Sequence, residues 1–138
     1  MTQEDKELLL KDLCSRLPYG VRASTKIGSN IIVSFIGNDI IKDEDGDSYD
    51  ISFIKPYLRP LSSITEEQKK EISKGYNLHT YGLCIEITNH SEGYWDDDNS
   101  CNLQDYLWLV DWLNKNHFDY RGLIEKGLAI DATGLNIY

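Results

Sequence analysis

The stretch Ile31–Phe53, IIVSFIGNDIIKDEDGDSYDISF, decides the fold class. It opens on Ile31 to Ile36, a near-continuous apolar run rich in β-branched residues, which predicts a strand buried on both sides. Gly37-Asn38-Asp39 turns the chain, Ile40-Ile41 starts a second short strand, and Asp45-Gly46 is a hairpin signal. Tyr49, Ile51 and Phe53 then alternate with Asp50 and Ser52, the period of a strand with one wet face. Short strands this closely spaced predict a small, strongly curved antiparallel sheet or partial barrel.

Helical signals flank this section. Upstream, Thr2 can cap a helix with Asp5 three residues on, and Leu9, Leu10, Leu13, Cys14 and Leu17 fall at helical spacing. Pro18 and Gly20 end that helix, and Val21 to Ala23 reads as a short strand. Downstream, KPYLRP (Lys55–Pro60) carries two prolines, which fix φ and remove donors, so it is expected to be extended but outside any ladder. Thr65-Glu66-Glu67-Gln68 is a full capping box that opens a polar helix to about Lys74, with Gly75 able to stop it.

Tyr81, Leu83, Ile85 and Ile87 alternate with smaller or polar residues, which predicts a strand to Thr88. Asn102 can cap a long helix with Asp105 at its third position. In that helix Leu103, Tyr106, Leu107, Val110 and Leu113 form a core stripe, widened by Trp108, Leu109 and Trp112, with Gln104, Asp111 and Lys115 as a polar seam. A helix this apolar is either sandwiched inside the domain or shows a second face to a partner. Asp119 is placed to cap a last helix through Leu123, Ile124 and Lys126, and Asp131 to Tyr138 has little pattern. The fold expected is therefore α+β: the curved sheet packed against an N-terminal helix and a C-terminal helical pair, in a single domain over residues 1–138.

Size and charge bound the function. The 138 residues, 41% apolar, suit one domain with a real core. No run approaches the roughly 18–20 apolar residues of a membrane span. The opening MTQEDKE carries acids where a secretory signal carries positive charge, which predicts a cytoplasmic protein without a membrane partner. Cys14, Cys84 and Cys101 have no CxxC spacing, in keeping with a reducing compartment. A net charge of −9 repels phosphate backbones, so nucleic-acid binding is not expected. The acids bunch in two loops, one holding Asp43, Glu44, Asp45 and Asp47 and the other Asp96, Asp97 and Asp98. Charge runs of this kind ordinarily mark solvated loops.

The phrases KPYLRPLSSITEEQKKE (Lys55–Glu71), DWLNKNHFDYRGLIEKGLAID (Asp111–Asp131) and the opening LLLKDLCSRLPYGV resemble a family of short uncharacterised proteins of gut bacteria and their mobile elements, phages included. The resemblance touches both ends and the middle of the chain, while Asn77 to Ser100 matches none of its phrases. It implies a cytoplasmic, single-domain accessory protein of a mobile element. It brings no activity, cofactor or catalytic residue.

Tests for chemistry give no catalytic or metal-ligating set. Placing Gly46 at the glycine position of an EF-hand loop puts Ile41 first and Ser52 last, where oxygen ligands are required, so only a looser oxygen site remains. His79, Cys84, His90 and Cys101 have no zinc-like spacing. There is no nucleophile elbow, Walker loop or dinucleotide glycine pattern. No cofactor is expected.

Aromatic residues concentrate beside the second acidic loop. Trp95, Trp108 and Trp112 are the candidate partner interface, because aromatics bury much area for few frozen rotors. The leading expectation is a non-enzymatic accessory or protein-interaction protein that binds another protein or a second copy of itself. An acidic decoy that imitates DNA and blocks a DNA-binding protein is the alternative, and a small enzyme of unassigned class is the third reading.

Overall fold

A computed structural model describes residues 1–75 and 103–138, with side chains at 1–72 and 107–138. The expected strand at Tyr81–Thr88, Trp95, Asp96, Asp97 and Asp98, the Asn102 cap with Asp105, and His79, Cys84, His90 and Cys101 lie outside the described residues or side chains. The fold is α+β, and the chain divides into two compact units, Met1–Arg59 with Arg121–Tyr138, and Pro60–Tyr120.

The first unit begins with helix α1 (Gln3–Arg16), whose start is the expected box: Thr2 Oγ1 accepts from the Asp5 amide at 3.1 Å and the Asp5 carboxylate accepts from the Thr2 amide at 3.4 Å. A 3-10 turn at Leu17–Tyr19 follows, and Gly20 at φ 86° releases the chain into the sheet. The strands are β1 (Val21–Ser24), β2 (Asn30–Ile36), β3 (Ile40–Asp43), β4 (Ser48–Asp50) and β5 (Lys55–Pro60), in the spatial order β4-β3-β2-β1-β5. Neighbours along that order pair antiparallel. A further strand near the end of the chain, Ile130–Asp131, pairs parallel to β5. The sheet is thus mixed and is not closed into a barrel, against the expectation of an all-antiparallel sheet or partial barrel.

β2 corrects the reading of its own run. Its burial alternates, with Ile31 and Val33 inward and Ile32 and Phe35 outward, because an antiparallel sheet can leave one face to water. Register carries the alternation across strands: Val21 pairs with Val33 and Ala23 with Ile31 on the buried face, and Arg22 with Ile32 on the exposed one. The predicted strand through Phe53 stops at Asp50. The Asp50 carboxylate takes the Ser52 amide at 2.9 Å and the Ser52 hydroxyl at 2.6 Å, and so caps a 3-10 turn over Ile51–Phe53.

KPYLRP joins the ladder instead of lying outside it. β1 pairs with Lys55 and Pro56, and the parallel strand with Tyr57 and Leu58, so Pro56 costs the ladder with β1 a single donor. The tail is anchored too: the Tyr138 hydroxyl donates to the Tyr57 carbonyl at 2.9 Å.

The core of this unit gathers Leu9 and Leu13 of α1, the inward residues of the strands, Ile51, Ile54 and Leu58, and Leu123, Leu128 and Ala129 from the C-terminal segment. Each fully buried aliphatic contributes about 1.5–3 kcal/mol. Cys14, expected on this face, is exposed, and its place is taken by charge. Asp12 and Arg16 are 0% and 1% exposed and pair one turn apart, Nε to Oδ2 at 2.7 Å and Nη2 to Oδ1 at 3.0 Å. Arg121 adds a contact to Asp12 at 3.4 Å and tethers the returning chain to α1. The last helix expected from Asp119 is absent. A turn at Leu123–Gly127 replaces it, closed by Leu128 donating to the Leu123 carbonyl at 2.9 Å, with Gly127 at φ 73°.

The second unit holds α2 (Glu66–Gly75), α3 (Leu103–Lys115) and the two-residue strand β6 (Phe118–Asp119), which makes the strand at Ile130–Asp131 β7. α2 starts as predicted: Thr65 Oγ1 accepts from the Gln68 amide at 3.1 Å, and Gln68 Oε1 accepts from the Thr65 amide at 2.9 Å. The described core is Leu61, Ile64, Ile72, Leu109, Trp112, Leu113 and Phe118. α3 turns a different face inward from the predicted stripe: Leu109, Trp112, Leu113 and Asn114 are buried, Val110 is half-buried and Leu107 is exposed. Asp119 is buried in β6 and caps no helix.

Candidate functional site

The outward face of the sheet gathers the most exposed apolar side chains of any β element described. Phe35 and Lys42 are paired across β2 and β3, Ile40 and Asp50 across β3 and β4, and Arg22 and Ile32 across β1 and β2. Phe35 is 50% exposed, Ile40 48% and Ile32 36%. A register shift between Val33 and Phe35 sets Phe35 on this face beside Ser34, since one extra residue reverses the side a strand presents. The Lys42 ammonium stands 5.5 Å from the centre of the Phe35 ring, within cation–π range. The ring also lies against Gly37, where a Cβ would come within 3.2 Å of it. The face therefore presents apolar groups framed by Arg22, Lys42 and Asp50.

The acidic hairpin between β3 and β4 is built around one carboxylate. Asp43, buried, accepts from the amides of Asp45 and Asp47 at 3.0 Å each and from the Tyr49 hydroxyl at 2.9 Å. Burial pushes its pKa up, but the bonds from Tyr49, Asp47 and Asp45 outweigh that and hold it below the ordinary value. The same bond, together with burial, raises the Tyr49 phenol. Asp50, bonded to Ser52, is also held low. Glu44, Asp45 and Asp47 point to solvent. Asp43 is thus committed to organising its own turn. Among the described residues no three His, Cys, Asp or Glu side chains stand together as a metal set.

The aromatic residues divide. Trp112 is a core residue: it stacks on Phe118 with ring centres 5.6 Å apart, and its indole N–H donates to Glu71 at 3.2 Å. Trp108 is half-buried against the same cluster. Sequence reasoning missed the outward face because it treated Ile31–Ile36 as buried on both sides. The signal that could have found it is the pairing of that run with the strongly alternating IKD and SYD segments beside it.

No family model matches the chain, and no curated protein or solved structure matches it. No helix among the described residues is long and apolar enough to cross a membrane.

Proposed function

We propose that this chain is a non-enzymatic interaction protein that docks through the outward face of its sheet, with a second copy of itself as the partner. The exposure of Phe35, Ile40 and Ile32 on one surface carries the reading. Apolar patches framed by polar groups are the usual form of a protein-binding surface. The face also holds both signs of charge, Lys42 and Asp50 on adjacent strands. A copy related by a two-fold axis can therefore set each opposite its complement, as an isologous contact requires. The resemblance to proteins of gut bacteria and their mobile elements supports an accessory role in the cytoplasm, working without a cofactor.

Light scattering of the purified chain at low and high salt tests the proposal. The expected result is a dimer that persists at high salt and is lost in the double variant Phe35→Asp/Ile40→Asp. A monomer at every concentration removes self-association. A dimer dissolved by Trp108→Ala but not by the double variant moves the contact to α3. Association with DNA-binding proteins that collapses steeply with salt would instead favour the acidic decoy.

A further inference from the structure

We propose that a cleft on the first unit, between the Thr25–Gly28 turn and the segment Ser52–Lys55, binds a small organic anion: a carboxylate or phosphate monoester carrying a flat, apolar body. The cleft is lined by other residues than the proposed dimer contact, and the proposal does not rest on that contact. Its floor comes from sheet geometry, since Ser24 at the end of β1 pairs with Lys55 at the start of β5, and Ile130 opens β7 beside them.

The turn above is tightly tied. Gly28 donates to the Thr25 carbonyl at 2.9 Å, Thr25 to the Ser29 carbonyl at 2.9 Å, and the Ser29 amide to Thr25 Oγ1 at 3.2 Å. Gly28 sits at φ 84°, which favours glycine and fixes the tip carrying Lys26 and Ile27. Opposite, the 3-10 turn capped by Asp50 presents Phe53, and the Lys26 ammonium stands 4.6 Å above its ring.

The cleft is open to solvent and has a volume of about 480 Å³, within the range of small-molecule sites. Its wall is chemically one-sided. Lys26 and Lys55 line it with Ser24, Thr25 and Ser52, and no acid is among its lining residues; the Ser52 hydroxyl is committed to Asp50 at 2.6 Å and that of Ser24 to the Thr25 carbonyl at 3.3 Å. On a chain of net charge −9 that concentration of cations runs against the composition. Among the described residues neither lysine forms an ion pair. Thr25 Oγ1 accepts from Ser29, which leaves its proton to donate to a ligand oxygen. Two lysines and a hydroxyl proton suit an anionic head, and Phe53 and Ile130 suit a flat apolar body.

Amide NMR of the full chain, titrated separately with AMP, benzoate and inorganic phosphate, tests the site. AMP or benzoate is expected to shift the amides of Thr25, Gly28, Ser52, Phe53, Lys55 and Ile130 with a Kd of about 0.1–1 mM, and inorganic phosphate to bind more weakly for want of an apolar body. Binding by AMP alone assigns a phosphate monoester, and binding by benzoate alone a carboxylate. The variant Lys26→Met/Lys55→Met should weaken binding about tenfold or more, and the exposed turn variant Lys26→Met repeats the test if the double variant does not fold. No shift up to about 10 mM of any probe, shifts centred away from the cleft, or binding unchanged in the lysine variants overturns the proposal.

Discussion

The long helices of the two units bury polar groups in opposite ways. In the first, α1 carries a full charge pair, Asp12 with Arg16, into the core. In the second, α3 buries neutral groups, with Asn114 Oδ1 accepting from the Tyr120 hydroxyl at 2.9 Å and the Trp112 indole bonded to Glu71. A buried charge is tolerated only while its partner is present, so the first arrangement fails when one member goes. A hydrogen bond made by a neutral side chain of an aromatic cluster loses only its own net contribution, because the surrounding apolar contacts survive.

The sharpest way to break this contrast is Asp12→Ala. It should cost about 3–5 kcal/mol, read by urea unfolding, with loss of amide protection centred on α1 and β2. The double variant Asp12→Leu/Arg16→Met should recover most of that loss, because Arg121 is partly exposed and can turn to water once Asp12 is gone. An Asp12→Ala chain as stable as the parent would show that the pair carries no uncompensated charge. Equal loss of protection in α1 and α3 would show that the two units open together.

Trp112→Phe sharpens the other side. It keeps the stack on Phe118 and removes the bond to Glu71, for an expected loss of about 1 kcal/mol on thermal unfolding. A loss as large as that of Asp12→Ala would erase the distinction.

The smallest effect belongs to the acidic hairpin and is read as pH dependence. Asp43 has a folded pKa below its ordinary 3.8, so its contribution is complete above that value and is lost as pH falls through the folded one. Tyr49 has a folded pKa above its ordinary 10.0, so its contribution is complete below that value and is lost as pH rises through the folded one. The Asp43–Tyr49 hydrogen bond thus contributes at both the acid and the alkaline end. Carboxyl NMR should find Asp43 titrating low and moving upward in Tyr49→Phe. An Asp43 that titrates at the ordinary value in both chains would sink this account.

Much of the local structure was legible in the residues. The caps at Thr2 and Thr65, the Asp45-Gly46 hairpin and the presence of helices α1, α2 and α3 came through, as did the α+β class. The candidate site was far less legible. Trp112 and Trp108 read as surface anchors because a helical stripe wide enough for two faces does not say which face meets a core. Phe35 read as interior because an apolar run carries no mark of the side left to water. The Asp12–Arg16 pair drew no reading from its spacing, since one-turn pairs are ordinarily solvated.

What the sequence determined by itself are interactions that close within about four residues: a hydroxyl reaching the third amide of a helix, a glycine allowing a positive φ, a carboxylate bonding the amides two and four residues on in its turn. Their geometry depends on neighbours in the chain and on nothing else. Tertiary structure alone decided which face of β2 is covered, that KPYLRP pairs with β1 and with the parallel β7, and that α3 turns Trp112 inward. Each of these depends on a partner tens of residues away, whose position follows from burying the greatest apolar area with its backbone groups paired.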